Sequence, residues 1–358
     1  MRLRVIDFGL VPALRSQAAW WGLADALQAG EAPILSLVET AEPYVCIGLH
    51  QDPGLELDRA FCAANGIGVI RRRLGGGAVL LDRRQLIFHF IFPRGRVPER
   101  GERLYPLFIE PVVRTYRGLG IAAQYRPLND IHVDGRKIGG TAAAYFERAS
   151  VLGGMFLFDF DGALMARVLK VPSEKFRDKL ATSLEDYVTS MRRLLPVPPS
   201  REAVKTRFLG HAAECLAVEP FEDRPRPAEW TAIEAEEARL AAPGWLDRVG
   251  RRLVPQGVKL AAGLHLTEGR HKAPGGLVRA RLLERDGLIA DLELSGDFDC
   301  APAEGLVALA ARLAGTSLDE KSLAGAVSRA MEEIGVTSAG VEAVDIAAAI
   351  AASRHREG

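Results

Sequence analysis

The run Leu86–Phe92, LIFHFIF, constrains this chain more than any other stretch. It is short, dense in aromatic and branched side chains, and bounded by Arg84 and Pro93. That length and content predict a buried strand. Such a strand needs a core around it. The 358 residues are too many for one average core and suit about two domains. The chain is 48% hydrophobic and 26% charged, as ordinary soluble globular chains are.

Around that strand the pattern predicts a strand at Arg2–Phe8 and a helix at Ala13–Gln28. Further strands are expected at Pro33–Val38, Tyr44–Ile47 and Gly68–Arg72, with a short helix at Leu57–Ala64 stopped by Asn65-Gly66. Leu104–Leu119 carries a helical stripe, and Pro111 is expected to kink it. Ile131–Ala142 reads as a hairpin turning at Asp134-Gly135. Val151–Phe160 reads as a strand and Asp161–Leu169 as a helix. Proline-rich breaks follow at Pro196–Pro199 and Pro220–Pro227, with a helix capped by Ser200 between them and another at Glu229–Leu240. Pro243-Gly244 ends that helix, and the domain boundary is placed there, giving residues 1–245 and 246–358. Beyond it come strands at Leu277–Leu283 and Leu288–Leu294, joined by Asp286-Gly287. Helices at Pro302–Leu313, Leu318–Ile334 and Val341–Ser353 follow, the last fraying at Arg354–Gly358.

Several function classes are disfavoured. Lys+Arg and Asp+Glu number 46 each, so the chain lacks the basic excess of a general nucleic-acid binder. No apolar run reaches membrane-spanning length, and the first residues lack the apolar core of a signal peptide. Cys46, Cys62, Cys215 and Cys300 form no CxxC pair and fit no zinc spacing, so reduced cysteines in a cytoplasmic enzyme are expected.

Two segments carry chemistry. In the first, Arg71, Arg72 and Arg73 precede Leu74 and the glycines Gly75, Gly76 and Gly77. Glycines let several N–H groups converge on one anion, and arginines add permanent forked charge suited to phosphate oxygens. No Gly-Lys-Ser/Thr follows, so this is not a Walker A loop. The glycines are contiguous and a strand-like run follows, so it is not a dinucleotide fingerprint. The competing reading is a flexible turn beside solvated arginines. In the second segment, Lys137 follows the hairpin turn and precedes Gly139 and Gly140. If Ile138 faces the core, Lys137 and Gly139 face the other way. A lysine over a glycine floor would stabilise charge developing as a carboxylate attacks the α-phosphate of ATP. Asn129 and Asp130 are suited in type to a magnesium ion or an adenylate hydroxyl or amine. The competing reading makes them turn caps beside a solvated lysine.

Together these segments resemble the lipoate–protein ligase family. The residues that match are Arg71, Arg72, Gly75, Gly76, Gly77, Ala78, Val79 and Asp82, then Asn129, Asp130, Ile131, Gly135, Lys137, Ile138, Gly140 and Ala142. Weaker likeness extends over Pro43–Gln51, Leu169–Lys179 and the tail stretches Lys272–Arg279 and Ser295–Phe298, nearly the whole chain. The resemblance implies an α+β fold, a mixed sheet flanked by helices, with a smaller C-terminal α+β accessory domain. It implies a monomer that uses ATP, Mg²⁺ and lipoate, or octanoate, to form an acyl-AMP. The acyl group then passes to a lysine of a lipoyl-carrier protein. It implies Lys137 as the catalytic lysine. Arg72, Gly75, Gly76, Gly77, Ala78, Val79, Asn129, Asp130, Gly140 and Ala142 would bind substrate or adenylate, Asp130 being a candidate for the metal as well. Leu74 stands where the family usually has Ser, Leu81 where many members have His, and Arg83, Arg84 and Gln85 replace a short turn ending in Asn. These departures bear on the acyl group more than on the fold.

Three rivals remain. An octanoyl or lipoyl transferase of the same fold needs a thiolate, and Lys170–Glu174, where one such branch carries its cysteine, has none. A biotin ligase often carries an N-terminal DNA-binding domain, for which there is no room before Pro33. A catalytically degenerate paralogue that only binds the carrier is disfavoured by the retained Lys137, Arg72 and glycines.

Overall fold

The computed structural model describes residues 1–98, 101–249, 259–261 and 264–353; the expected fraying at Arg354–Gly358 lies outside them. Two compact units result. The first comprises Met1–Cys46, Gly54–Arg72 and Val79–Leu246, the second Ile47–Pro53, Arg73–Ala78 and Asp247–Gly358.

The first unit opens with β1 (Arg2–Val11), α1 (Ala13–Ala26), β2 (Ile34–Thr40) and β3 (Tyr44–Ile47). Then come α2 (Pro53–Glu56), α3 (Arg59–Ala64), β4 (Gly68–Arg71), β5 (Val79–Leu81) and β6 (Gln85–Pro93). The helix expected at Leu57–Ala64 is α3, started by Asp58, whose side chain accepts from the Phe61 N–H at 2.9 Å; the short α2 precedes it. Next are α4 (Gly101–Gly118), β7 (Gln124–Arg126), β8 (Asp130–Val133), β9 (Arg136–Tyr145) and β10 (Ala149–Leu157). The unit closes with α5 (Gly162–Val168), α6 (Glu174–Tyr187), α7 (Met191–Leu194), α8 (Arg201–Leu216), β11 (Glu219–Glu222) and α9 (Pro227–Ala241).

Eight strands form a mixed sheet in the order β11-β1-β2-β6-β10-β9-β8-β7. The strand β6 lies inside it with every residue buried, as its composition demands. Its alternate residues Phe88, Phe90 and Phe92 pack under α4 and α8, where Phe108, Phe156 and Phe208 complete an aromatic cluster. The opposite side of β6 presents His89, stacked on Trp20 of α1 with ring centroids 5.0 Å apart. Burial pushes the His89 imidazole down to about 3. The helix α1 packs against α9 so closely at Gly22 that a Cβ there would stand 2.5 Å from the Ile233 backbone.

The helix expected at Leu104–Leu119 is α4, which continues through both Pro106 and Pro111. Its buried stripe of Leu104, Phe108, Val112 and Tyr116 outweighs the two missing N–H bonds. The proline-rich stretch after Val218 contains a strand, β11, that pairs in parallel with β1. Pro220 is tolerated there because β11 is an edge.

The second unit contributes β12 (Lys259–Ala261), β13 (Leu264–Ala273), β14 (Gly276–Arg285) and β15 (Leu288–Gly296), all antiparallel in that order. Asp286 and Gly287, both at positive φ, make the tight turn between β14 and β15. Alternate residues of β14 are buried, so one face of this sheet meets the helices. These are α10 (Gly305–Arg312), α11 (Glu320–Ile334) and α12 (Ala343–Ala352), whose Leu306, Leu309, Val327, Ile346 and Ile350 fill the core. No helix among the described residues is long and apolar enough to cross a membrane.

Candidate functional site

The hairpin that carries Lys137 is set by its turn. Asp134 and Gly135 have φ of 47° and 79°, the left-handed pair that a two-residue hairpin requires. Asp130 then pairs with Gly140 and Ile131 with Gly139, but His132 pairs with Lys137, leaving Ile138 as an inserted residue. Ile138 is fully buried, and its carbonyl accepts from the Tyr116 hydroxyl at 3.0 Å.

This bulge corrects the expected parity. Gly139 does not share the Lys137 side; a Cβ on Gly139 would meet Ile131 and the Met155 carbonyl. Gly140 does: a Cβ there would stand 3.0 Å from Lys137 Nζ and 3.1 Å from its Cε. The floor beneath the ammonium is therefore Gly140, one residue later than strict alternation places it.

Lys137 Nζ lies 2.7 Å from Asp130 Oδ1, with the lysine side chain 34% exposed and the aspartate 21%. The lysine backbone is pinned as well, its carbonyl accepting from the Thr189 N–H at 2.8 Å. Arg136 reaches the Glu185 and Val188 carbonyls at the end of α6. His132, which drew no attention in the sequence, is buried. Its Nδ1 lies 3.2 Å from the Gly135 carbonyl and its Nε2 3.6 Å from Asp130 Oδ2. Asn129 closes the other end of the hairpin. Its Nδ2 donates to the Thr141 carbonyl at 2.6 Å, and its own carbonyl accepts from the Thr141 N–H and hydroxyl at 2.9 Å each. Ala142, half-buried, pairs with Gly153 on β10. The arrangement is a cation on a rigid strand, balanced by one carboxylate and open to a competing anion.

Asp130 therefore meets a lysine and a histidine. Among the described residues no group of three His, Cys, Asp or Glu side chains could hold a metal ion.

Arg71 and Arg72 are not a solvated cluster; both are buried. Arg71 donates from Nε and Nη2 to the Leu246 carbonyl, at 3.0 and 2.5 Å, and its own carbonyl accepts from Trp245 Nε1 at 2.9 Å. Arg72 donates from Nη1 to the Cys46 carbonyl at 3.0 Å.

The glycines belong to the second unit, and there they meet protein. Gly76 has φ of 82°, and its carbonyl lies where a Cβ on Gly48 would be. A Cβ on Gly75 would meet Asp299 and stand 2.5 Å from the Phe298 carbonyl. Gly77 is open by comparison, with Asp297 Cβ at 3.9 Å. Leu74 is buried, and its carbonyl accepts from the Leu49 N–H at 2.9 Å. Close packing of backbone on backbone thus requires glycine at 48 and 75. That demand comes from residues far away in sequence and left no local signal. Ala78 ends this segment, and Val79 opens β5 in the first unit.

None of the four thiols is prepared as a nucleophile. Cys46 and Cys62 are buried, and burial raises both. Burial also raises Cys215, and it pushes Cys300 up to about 12. A catalytic thiol requires the reverse.

The catalytic-domain model for lipoyl protein ligase A/B matches residues 21–213. Lipoate-protein ligase LplJ of Bacillus subtilis is 31% identical over 260 residues, covering 72% of this chain and 74% of that one. Octanoyltransferase LipM of Kyrpidia tusciae is 30% identical over 231 residues, covering 58% and 82%. The bipartite lipoate protein ligase of Thermoplasma acidophilum, structurally analysed with its E2 lipoyl domain, superposes with a TM-score of 0.64 at 27% identity, covering 71% of this chain and 98% of that one. The mixed sheet, its flanking helices and the matched catalytic domain together show that this chain belongs to the lipoate–protein ligase family.

Proposed function

We propose that the chain is an ATP-dependent lipoate–protein ligase that forms lipoyl-AMP, or octanoyl-AMP, and passes the acyl group to a lysine of a lipoyl-carrier domain. The observation that carries this reading is Lys137, an ammonium fixed on a bulged strand over Gly140 and balanced by Asp130. In the first step a carboxylate oxygen of the acid attacks the α-phosphorus of ATP. A C(O)O–P bond forms, and the P–O bond to pyrophosphate breaks. Lys137 offsets the charge on the phosphoryl and acyl oxygens. In the second step the carrier amine attacks the acyl carbon, loses a proton and expels AMP.

The motif likeness assigns Arg72, Gly75, Gly76, Gly77, Ala78, Val79, Asn129, Asp130, Gly140 and Ala142 to binding the acid and the adenylate. Mg²⁺ would enter with ATP, and the Asp130 carboxylate is the side chain of the matched set that would help hold it.

The similarity to LipM supports a second reading, acyl transfer without ATP through a cysteine thioester. The raised thiols count against it. Intact-mass analysis of a lipoyl domain decides between them. Modification that requires ATP and free lipoate or octanoate supports the ligase. Modification from an octanoylated carrier alone, without ATP, overturns it.

A further inference from the structure

The second unit contains an ion-pair chain that ends at Asp52, beside the turn that packs on the glycine loop. Arg281, in the middle of β14, faces Glu268 of β13 and Glu293 of β15 as cross-strand neighbours. Its Nη2 lies 2.9 Å from Asp52 Oδ2, nearer than Glu268 at 3.6 Å or Glu293 at 3.9 Å. Arg270 is also on Glu268, at 2.8 Å, which leaves Arg281 directed to Asp52. The Asp52 side chain is 3% exposed and the Arg281 side chain 15%. A carboxylate so buried needs its partner.

Asp52 adjoins a closed turn. Gln51 accepts from the Gly48 N–H through Oε1 at 2.9 Å, and its own N–H donates to the Gly48 carbonyl at 3.2 Å. Gly48 lies against Gly76, and the Leu49 N–H donates to the Leu74 carbonyl. The His50 carbonyl accepts from Gly296 at the end of β15 at 3.0 Å. Contacts therefore run without interruption from a strand of the C-terminal sheet to the loop Leu74–Gly77.

We infer that Arg281 is a positioning residue for the glycine loop, acting through Asp52 and the turn Gly48–Gln51. The inference rests on the reading of that loop as an adenylate-binding element. It assigns to Arg281 the acid-activation step rather than acyl transfer.

The test uses the full chain with Arg281→Met, Arg281→Lys, Asp52→Asn and the Arg281→Met/Asp52→Asn pair. Deuterium uptake is followed at residues 47–53 and 73–78, independently of activity. Pyrophosphate exchange gives kcat and KM for ATP, and transfer is measured separately from preformed lipoyl-AMP. Arg281→Met should speed exchange in those two segments at least about tenfold, since a buried carboxylate loses its ion-pair partner. It should raise KM for ATP by a similar factor and leave transfer from lipoyl-AMP near wild type. Arg281→Lys should recover part of the loss, and the double variant should be no worse than either single one. Unchanged exchange and unchanged KM overturn the inference. So does exchange that rises equally throughout β13, β14 and β15, which marks a merely structural role. Should Arg281→Met not fold, Arg281→Lys and Asp52→Asn give the same discrimination. If the wild type forms no acyl-AMP, the ligase reading fails, while the uptake data still decide whether Arg281 holds the loop.

Discussion

Adding one methyl group at Gly140 tests the site directly. In Gly140→Ala the new carbon would stand 3.0 Å from Lys137 Nζ and 3.1 Å from Cε, closer than ordinary contact. The flexible end must yield, so the ammonium moves by several tenths of an ångström from its 2.7 Å contact with Asp130. A misplacement of about 1 Å at a reacting centre costs about 100-fold, so about half that displacement costs about tenfold, or about 1.4 kcal/mol in the barrier. Stability should not fall, because Gly140 does not have positive φ and lies in a strand. The assay is lipoate-dependent pyrophosphate exchange, paired with thermal unfolding. Gly139→Ala is the matched comparison: its methyl would meet Ile131 Cδ1 and the Met155 carbonyl at 3.4 Å, away from Lys137. It should keep activity within about twofold, since the reacting geometry is untouched. Full activity in Gly140→Ala with loss in Gly139→Ala would refute the bulge at Ile138 and the geometry argued from it.

Lys137→Ala should slow acyl-AMP formation by about 100- to 1,000-fold in the same exchange assay, with Lys137→Arg intermediate. His89 is kept neutral, so its contribution to stability is whole above its unfolded pKa of 6.5. It should shrink by about 2 kcal/mol by pH 5 and reach its full loss near pH 3; urea unfolding should show this slope, and His89→Leu should flatten it. Gly22→Ala should force α1 and α9 apart and cost about 1–3 kcal/mol by denaturant midpoint, with little change in KM. Each single Cys→Ala variant should retain ATP-dependent lipoylation on a gel-shift or mass assay; loss in one of them would revive the thioester route.

What could be read beforehand was local. Asp134-Gly135 and Asp286-Gly287 announce their hairpins because the turn demands positive φ from its own two residues. LIFHFIF announces β6 because nothing else buries seven such residues in so short a run. The bulge at Ile138 was hidden, since the choice between strict alternation and an inserted residue is made by Tyr116 and the core beneath. The helix through Pro106 and Pro111 was legible from its apolar stripe, which packing rewards despite the two prolines. The glycines of 75–77 were legible as an unusual loop. Their partners at 48, 298 and 299 were not, because contacts across such separations leave no period.

The membership of Arg73–Ala78 in the second unit also bears on synthesis. The loop emerges from the ribosome early, but the strands and helices that shape it begin only after Asp247. At about 5–20 residues per second, the wait exceeds about eight seconds. Through that interval the loop has only Gly48 and Leu49 to lie against, without Phe298 and Asp299. A nascent or truncated chain would hold its lysine hairpin in final form and its glycines in none. The glycine loop is thus completed last, after the unit that carries Lys137 has its whole sequence available.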